Sequence, residues 1–249
     1  MLQQETIRRL FLTDFKIDGT YFFDRLPRNF LLKEELPSAV RHVCDAIVLI
    51  RVRDAQGIIG FGTGLVLGRA VLTALHVVKD AESISLTHGQ CEIGAREIAR
   101  NKNSDFALLE PEKLLLAPSV VLAGKWQAGY GELYVVGHLF LREAREGETS
   151  TYRKLPCAYK IKGTARREAR RGRFAVAVPS AVENFFRGFS GGVLVDSYGV
   201  IVGMTQATAK MPKWILGGGG GILLRYSAYI VGARGYKMRD FLKKVISND

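Results

Sequence analysis

The sequence predicts an all-β fold: two antiparallel β-barrels of similar size, preceded by an extension and followed by a C-terminal α-helix. Three observations predict it. Short β-branched runs recur between Gly- and Asp-containing turns, the pattern of a half-buried antiparallel strand series. A connector, APSVVLAGKWQAGYG, divides that series into two sets. The last stretch changes period from strand to helix.

The elements follow in order. Residues 1–42 form the extension, with aromatic groups in TYFFDRLPRNFLL that suit packing on the main body. Residues 43–128 carry AIVLIRV, IIGFGTGLVL, AVLTALHVV, SISLTH, CEIGAREI and DFALLEP, the strands of a first barrel. Residues 129–249 carry ELYVVGHLF, LPCAYKIKG, RFAVAVP, GGVLVDSYGVIVGMTQA and GILLRYSA, the strands of a second. Within the fourth of these, Asp196 to Gly199 have the composition of a hairpin turn. In GYKMRDFLKKVISN, Met238, Phe241, Leu242, Val245 and Ile246 fall at helical spacing, and lysines cluster late, where the helix dipole favours cations.

Bulk properties bound the function. Hydrophobic residues make up 47% of the 249 and charged residues 24%, which excludes a wholly disordered chain. The net charge of +12 attracts anionic partners in general without identifying one. Cys44, Cys91 and Cys157 are few, odd in number and far apart. A disulfide framework is not expected, and a reducing, cytoplasmic setting is. His88 and Cys91 have ligand spacing, but no second pair completes a metal site, so no metal or cofactor is expected. MLQQETIRRLFLTDF lacks the apolar core of a secretory signal. No run approaches the roughly 20 apolar residues of a membrane span.

Three local contexts carry chemistry. His76 follows an apolar strand in LTALHVV, Asp105 opens one in SDFALLE, and Ser190 lies among glycines in RGFSGGVLV. Each alone has a plain structural reading: a satisfied histidine, a strand-start aspartate, a glycine-rich turn. Together they hold the parts of nucleophilic catalysis. A serine hydroxyl needs an imidazole to take its proton and a carboxylate to fix that imidazole's tautomer. The developing oxyanion needs fixed donors, and the Gly188 and Ser190 amides are the natural pair. Glycines 191 and 192 are expected to let substrate backbone approach closely. Histidine and aspartate belong to the first half and serine to the second, which puts the site in the cleft between barrels.

These motifs resemble those of the chymotrypsin-fold, or trypsin-like, serine proteases. TALHVV is similar to the family's T-A-A-H stretch, SDFALLE to its D-hydrophobic-A-L-L stretch and GFSGG to G-x-S-G-G, across residues 45 to 232. The resemblance implies His76 as general base, Asp105 as its orienting carboxylate and Ser190 as nucleophile. It also implies an oxyanion hole from the Gly188 and Ser190 amides, and paired six-stranded barrels. Two positions depart from the digestive enzymes. Val77 stands where they have a disulfide cysteine, and Phe189 where an aspartate binds a freshly cut N-terminus. That zymogen switch is therefore not expected here. The disulfide-free pattern resembles Deg/Htr-like and other bacterial-type peptidases, here expected without a PDZ module.

The resemblance puts Asn184 at the base of the primary specificity pocket, with Thr205, Gln206, Ala207 and the Gly217–Gly221 run as walls. A neutral base favours a small or medium uncharged residue at the cleaved bond, although Glu183 is close enough to take the role. The glycine run reads equally as a pocket wall that orders on binding and as a mobile loop. The basic stretch YKIKGTARREARRGRF, with Arg166, Arg167, Arg170 and Arg171, is expected on a long hairpin loop. It reads as a solvated loop, a docking site for an acidic protein or nucleic acid, or a processing site. The expected function is an intracellular serine endopeptidase acting on a protein substrate through an acyl-enzyme and regulated by a partner or by substrate. The alternative is a latent or non-catalytic interaction module of the same fold that binds an acidic protein or nucleic acid through its basic face.

Overall fold

The structure is a computed structural model and describes residues 15–17, 20–22, 29–124, 131–143, 151–161, 173–178, 186, 188–216 and 222–246. Two short strands, β1 (Phe15–Ile17) and β2 (Thr20–Phe22), pair antiparallel with Phe15 opposite Phe22. Strand β3 (Phe30–Leu32) and helix α1 (Ser38–Cys44) follow. The first half is a closed barrel of β4 (Ile47–Asp54), β5 (Ile59–Leu67), β6 (Ala70–Ala74), β7 (Ala81–His88), β8 (Cys91–Asn101) and β9 (Phe106–Pro111). Its strand order is β4-β5-β6-β9-β8-β7, and β7 returns to pair with β4. One helical turn, α2 (Leu75–Val78), leads out of β6.

The second half contains β10 (Val121–Leu122), β11 (Leu133–Glu143), β12 (Thr151–Ile161), β13 (Arg173–Val178), β14 (Val193–Asp196), β15 (Val200–Leu216) and β16 (Ile222–Arg234). Strands β13-β16-β15-β14-β11-β12-β3 form one sheet in that order, and β10 adds a short parallel pairing to β15. The end strands β13 and β3 are not paired with each other among the described residues. The fold is thus all-β with a C-terminal helix, α3 (Gly235–Ile246), as the sequence pattern predicts.

Burial explains the apolar runs. In β4, Ile47 joins the core between the two halves while Val48 and Ile50 join the core inside the barrel. Both faces of that strand are covered, so its sequence is continuously apolar rather than alternating. Helix α3 buries Met238 and Phe241 on one face. The Phe241 ring stacks on Phe106 at 5.7 Å between centroids, which seats the helix against the start of β9.

Two features differ from simple sequence expectation. Part of the extension is a strand of the second sheet: Leu32 pairs with Cys157 and Phe30 with Tyr159. Helix α1 buries Val40, Val43 and Cys44, and its short SAVRHVC run gives too few turns for a periodicity signal. Of the basic run, the structure describes Tyr159–Ile161 at the end of β12 and Arg173 and Phe174 at the start of β13; Arg166, Arg167, Arg170 and Arg171 lie outside the described residues.

Candidate active site

Ala74 ends β6 in extended conformation, with ψ of 134°, and α2 begins at once, so His76 is the second residue of a helical turn. The first N–H groups of a helix have no partners within it. Asp105 supplies them from the turn that precedes β9. Its backbone carbonyl accepts from Leu75 N–H at 3.0 Å. Its Oδ1 accepts from His76 N–H at 2.9 Å, and its Oδ2 lies 2.8 Å from His76 Nδ1. An ionised carboxylate only accepts, so the tautomer of the neutral ring that fits has its hydrogen on Nδ1 and its lone pair on Nε2.

Asp105 reaches this position from an unusual backbone. Its φ is 53°, the one positive value at a non-glycine residue among those described. Aspartate tolerates that region better than most side chains. Asn101 prepares the turn by accepting the Ser104 N–H on Oδ1 at 3.1 Å.

Ser190 enters from the second half. Its carbonyl accepts from Thr63 N–H of β5 at 2.8 Å. A Cβ placed on Gly62 would lie 2.6 Å from the Val77 side chain and 3.1 Å from the Ser190 carbonyl. Gly62 therefore lies between the residue after His76 and Ser190, which brings the serine beside α2. The Ser190 hydroxyl donates to the Gln206 carbonyl at 3.4 Å.

The loop around Ser190 is held at almost every peptide. Phe189 N–H donates to Phe186 O at 3.0 Å, and Gly192 N–H to Phe189 O at 2.8 Å. Thr205 Oγ1 donates to the same Phe189 carbonyl. In a trans peptide the N–H points opposite to the C=O, so the Ser190 N–H faces away from Thr205 and Gly192. Gly191 N–H and Thr205 N–H complete the link to β15, each at 2.8 Å.

The glycines after the serine are required by the protein's own packing. A Cβ on Gly191 would lie 2.1 Å from Thr63 O and 2.3 Å from Thr73 Oγ1; one on Gly192 would lie 2.3 Å from Val136 O. The backbone that crowds the Cβ direction of both residues is the protein's own.

Phe189, which stands in place of the family's aspartate, is buried with an exposure of 1%. It packs edge-on to Phe186 at 5.3 Å and to Phe30 at 6.0 Å. Gly137 of β11 leaves the space: a Cβ there would lie 2.5 Å from the Phe189 ring. Aromatic burial anchors this loop.

Of the expected pocket residues, Thr205 and Gln206 are nearly buried, at 2% and 7% exposure. Their side chains hold the loops around the site. Gln206 Nε2 donates to the Ser104 carbonyl and, at 3.3 Å, to the Asp105 carbonyl. It does so from a β-bulge, where the β15–β16 register shifts between Thr205 and Ala207. Bulges re-aim side chains in this way. Ala207 continues β15 opposite Val231. Asn184 and the Gly217–Gly221 run lie outside the described residues.

Sequence reasoning missed Thr63, His138 and Phe30. Thr63 stands between two glycines in FGTGL, a close-approach signal whose partner the chain order does not reveal.

Comparison with known proteins follows the same direction. The family described as trypsin-like peptidase domain matches residues 62–204, more than half of the chain. A comparison with curated protein sequences finds no match. Among solved structures, the active form of the Rv3671c protease from M. tuberculosis aligns at 19% identity and a TM-score of 0.57, covering 89% of this chain and 92% of that one. The serine endoprotease from Yersinia pestis aligns at 16% identity and 0.56, covering 90% of this chain and 68% of that one. An HtrA-type protease, AlgWS227A with a tripeptide, aligns at 17% identity and 0.52, over 84% of this chain. This chain spans 62% of the AlgW chain's length.

Proposed function

We propose, because the chain belongs to the trypsin-like peptidase family, that it hydrolyses peptide bonds of a protein substrate through a Ser190 acyl-enzyme. It is a serine peptidase, and the roles of its residues are our reading. His76 Nε2 takes the Ser190 Oγ proton as the Oγ–carbon bond forms. It then returns that proton to the departing amine as the carbon–nitrogen bond breaks. Water repeats the sequence and releases the acid. Asp105 keeps Nδ1 protonated and stabilises the imidazolium that forms between the two transfers. The Ser190 and Gly188 amides receive the oxyanion.

The observation that carries this reading is the double grip of Asp105 on His76, which leaves Nε2 as the proton acceptor. The His76 side chain retains 44% exposure, so the ring edge is accessible. The Ser190 hydroxyl turns from the Gln206 carbonyl towards His76 when substrate binds; such contacts are often loose in a free enzyme.

Finer parts of the reading have narrower support. An uncharged residue at the cleaved bond fits neutral Asn184. Cytoplasmic residence fits three free cysteines, two of them buried. Regulation by a partner acting through the extension is supported by Phe30, which packs on both Phe186 and Phe189 beside the nucleophile. The test of the chemistry is covalent labelling by a fluorophosphonate, with Ser190→Ala and His76→Ala as controls. The reading requires one adduct in the wild type and none in Ser190→Ala.

A further inference from the structure

Thr63 of β5 is fully buried and touches the Ser190 loop through two groups. Its N–H holds the Ser190 carbonyl at 2.8 Å. Its hydroxyl is 2.9 Å from the Gly188 carbonyl, 3.0 Å from the His138 backbone N and 3.2 Å from His138 Nδ1. The Thr63 carbonyl in turn accepts from Thr73 Oγ1 at 2.8 Å, which fixes the residue from behind.

The hydroxyl has one proton and two lone pairs. The Gly188 carbonyl can only accept, and the His138 N–H can only donate. The proton therefore goes to Gly188, and one lone pair takes the His138 N–H. The second lone pair is left for His138 Nδ1, which must then bear a hydrogen. If Nδ1 were bare, it would compete with Gly188 for the single hydroxyl proton.

We propose that His138 is held with its hydrogen on Nδ1, and that Thr63 is thereby a positioning residue for the oxyanion loop. His138 saturates the hydroxyl from β11 and aims its proton at Gly188. With the Gly188 carbonyl held by Thr63 and the Phe189 N–H held by Phe186, both sides of that peptide are fixed. This prevents the loop from turning next to the nucleophile. The functional half of the proposal rests on Ser190 being the nucleophile.

The experiment uses the full chain. Nitrogen–proton correlation spectra of the histidine rings, with His138→Phe to assign the signal, read which nitrogen bears the hydrogen. A protonated Nδ1 in wild type is expected; a neutral ring with bare Nδ1 overturns the proposal. In parallel, the second-order rate of fluorophosphonate labelling is measured. Thr63→Val, which keeps volume and removes the hydroxyl, is expected to slow labelling by on the order of 10- to 100-fold, less than the roughly 100- to 1,000-fold of a lost oxyanion donor because Thr63 acts through the loop. Thr63→Ser is expected to recover most of that rate. A folded Thr63→Val that labels at the wild-type rate, or a Thr63→Ser as slow as Thr63→Val, refutes the positioning role. If Thr63→Val does not fold, Thr63→Ser and the ring spectra still decide. A wild type that never labels counts against the nucleophile reading, while the ring spectra independently test the hydrogen assignment.

Discussion

Asp105 grips His76 with both carboxylate oxygens, Oδ1 on the backbone N–H at 2.9 Å and Oδ2 on Nδ1 at 2.8 Å. One side chain therefore caps a helical turn and sets a tautomer. The two jobs separate on substitution. Asp105→Asn puts a donor amide beside at least one of the two donors. The ring is expected to adopt the other tautomer, and kcat to fall by about 10⁴-fold, as for a misassigned triad tautomer. The asparagine carbonyl keeps the His76 N–H, so stability is expected to change by less than about 1 kcal/mol, the worth of such a cap. Kinetics and thermal unfolding of the same variant check both.

Gln206 joins the two halves of the site. Its side chain binds the Ser104 and Asp105 carbonyls while its own carbonyl receives the Ser190 hydroxyl. Gln206→Ala removes the side-chain donor to the Ser104 carbonyl and one of two donors to the Asp105 carbonyl, which keeps the Leu75 N–H. A loss of about 1–3 kcal/mol in stability is expected. The Asp105 turn loosens, so kcat falls by more than KM rises. A change confined to KM would mean that Gln206 acts only through substrate contact.

Gly191 admits no side chain. Its φ of 81° and the 2.1 Å approach of Thr63 O leave no room for a Cβ. Gly191→Ala is expected to destabilise the fold by at least about 3 kcal/mol, the sum of overpacking and backbone strain. Chemical denaturation at unchanged m-value reads this directly.

Phe30 supports the nucleophile from outside the two halves that the sequence delimits. It contacts Tyr159, Phe186 and Phe189 at centroid distances of 4.9, 5.4 and 6.0 Å. Phe30→Ala is expected to cost about 3–5 kcal/mol and to slow Ser190 labelling. Phe30→Leu should restore much of the stability. Equal labelling rates in all three proteins would disconnect the extension from the active site.

The buried thiols predict alkaline sensitivity. Burial, with the Asp45 charge adding, pushes the Cys44 thiol up to about 12, and burial raises Cys157 well above its ordinary value. A raised folded value means that the native state retains protons the unfolded chain releases. Stability is therefore complete below the ordinary thiol value near 9 and is lost as pH rises towards 12. The slope is about 1.4 kcal/mol per pH unit for each such thiol. Unfolding free energies across pH 8–11 check it, and Cys44→Ala should flatten the curve. At neutral pH a thiol reagent is expected to modify exposed Cys91 before buried Cys44 and Cys157.

The strands of the barrel and the helix α3 were legible because their apolar periods are strong, as Met238 and Phe241 illustrate. His76, Asp105 and Ser190 stood out through local motifs. Their supports did not, because the contacts are distant in sequence. Thr63 meets Gly188 across 125 positions, and Gln206 meets Ser104 across 102. Nothing local to FGTGL names His138 as a partner. The glycines at 191 and 192 were legible as close approaches, but the approaching group was not. Phe30 lay in a stretch without a clear period, since a three-residue strand such as β3 is too short to show alternation.

The central claim is that His76 and Asp105 activate Ser190. Intact-mass measurement after fluorophosphonate treatment of the wild type, Ser190→Ala and His76→Ala tests it most directly. The account predicts a single adduct on the wild type, none on Ser190→Ala and strongly slowed labelling of His76→Ala. An adduct that persists in Ser190→Ala, or none on a folded wild type, would contradict it.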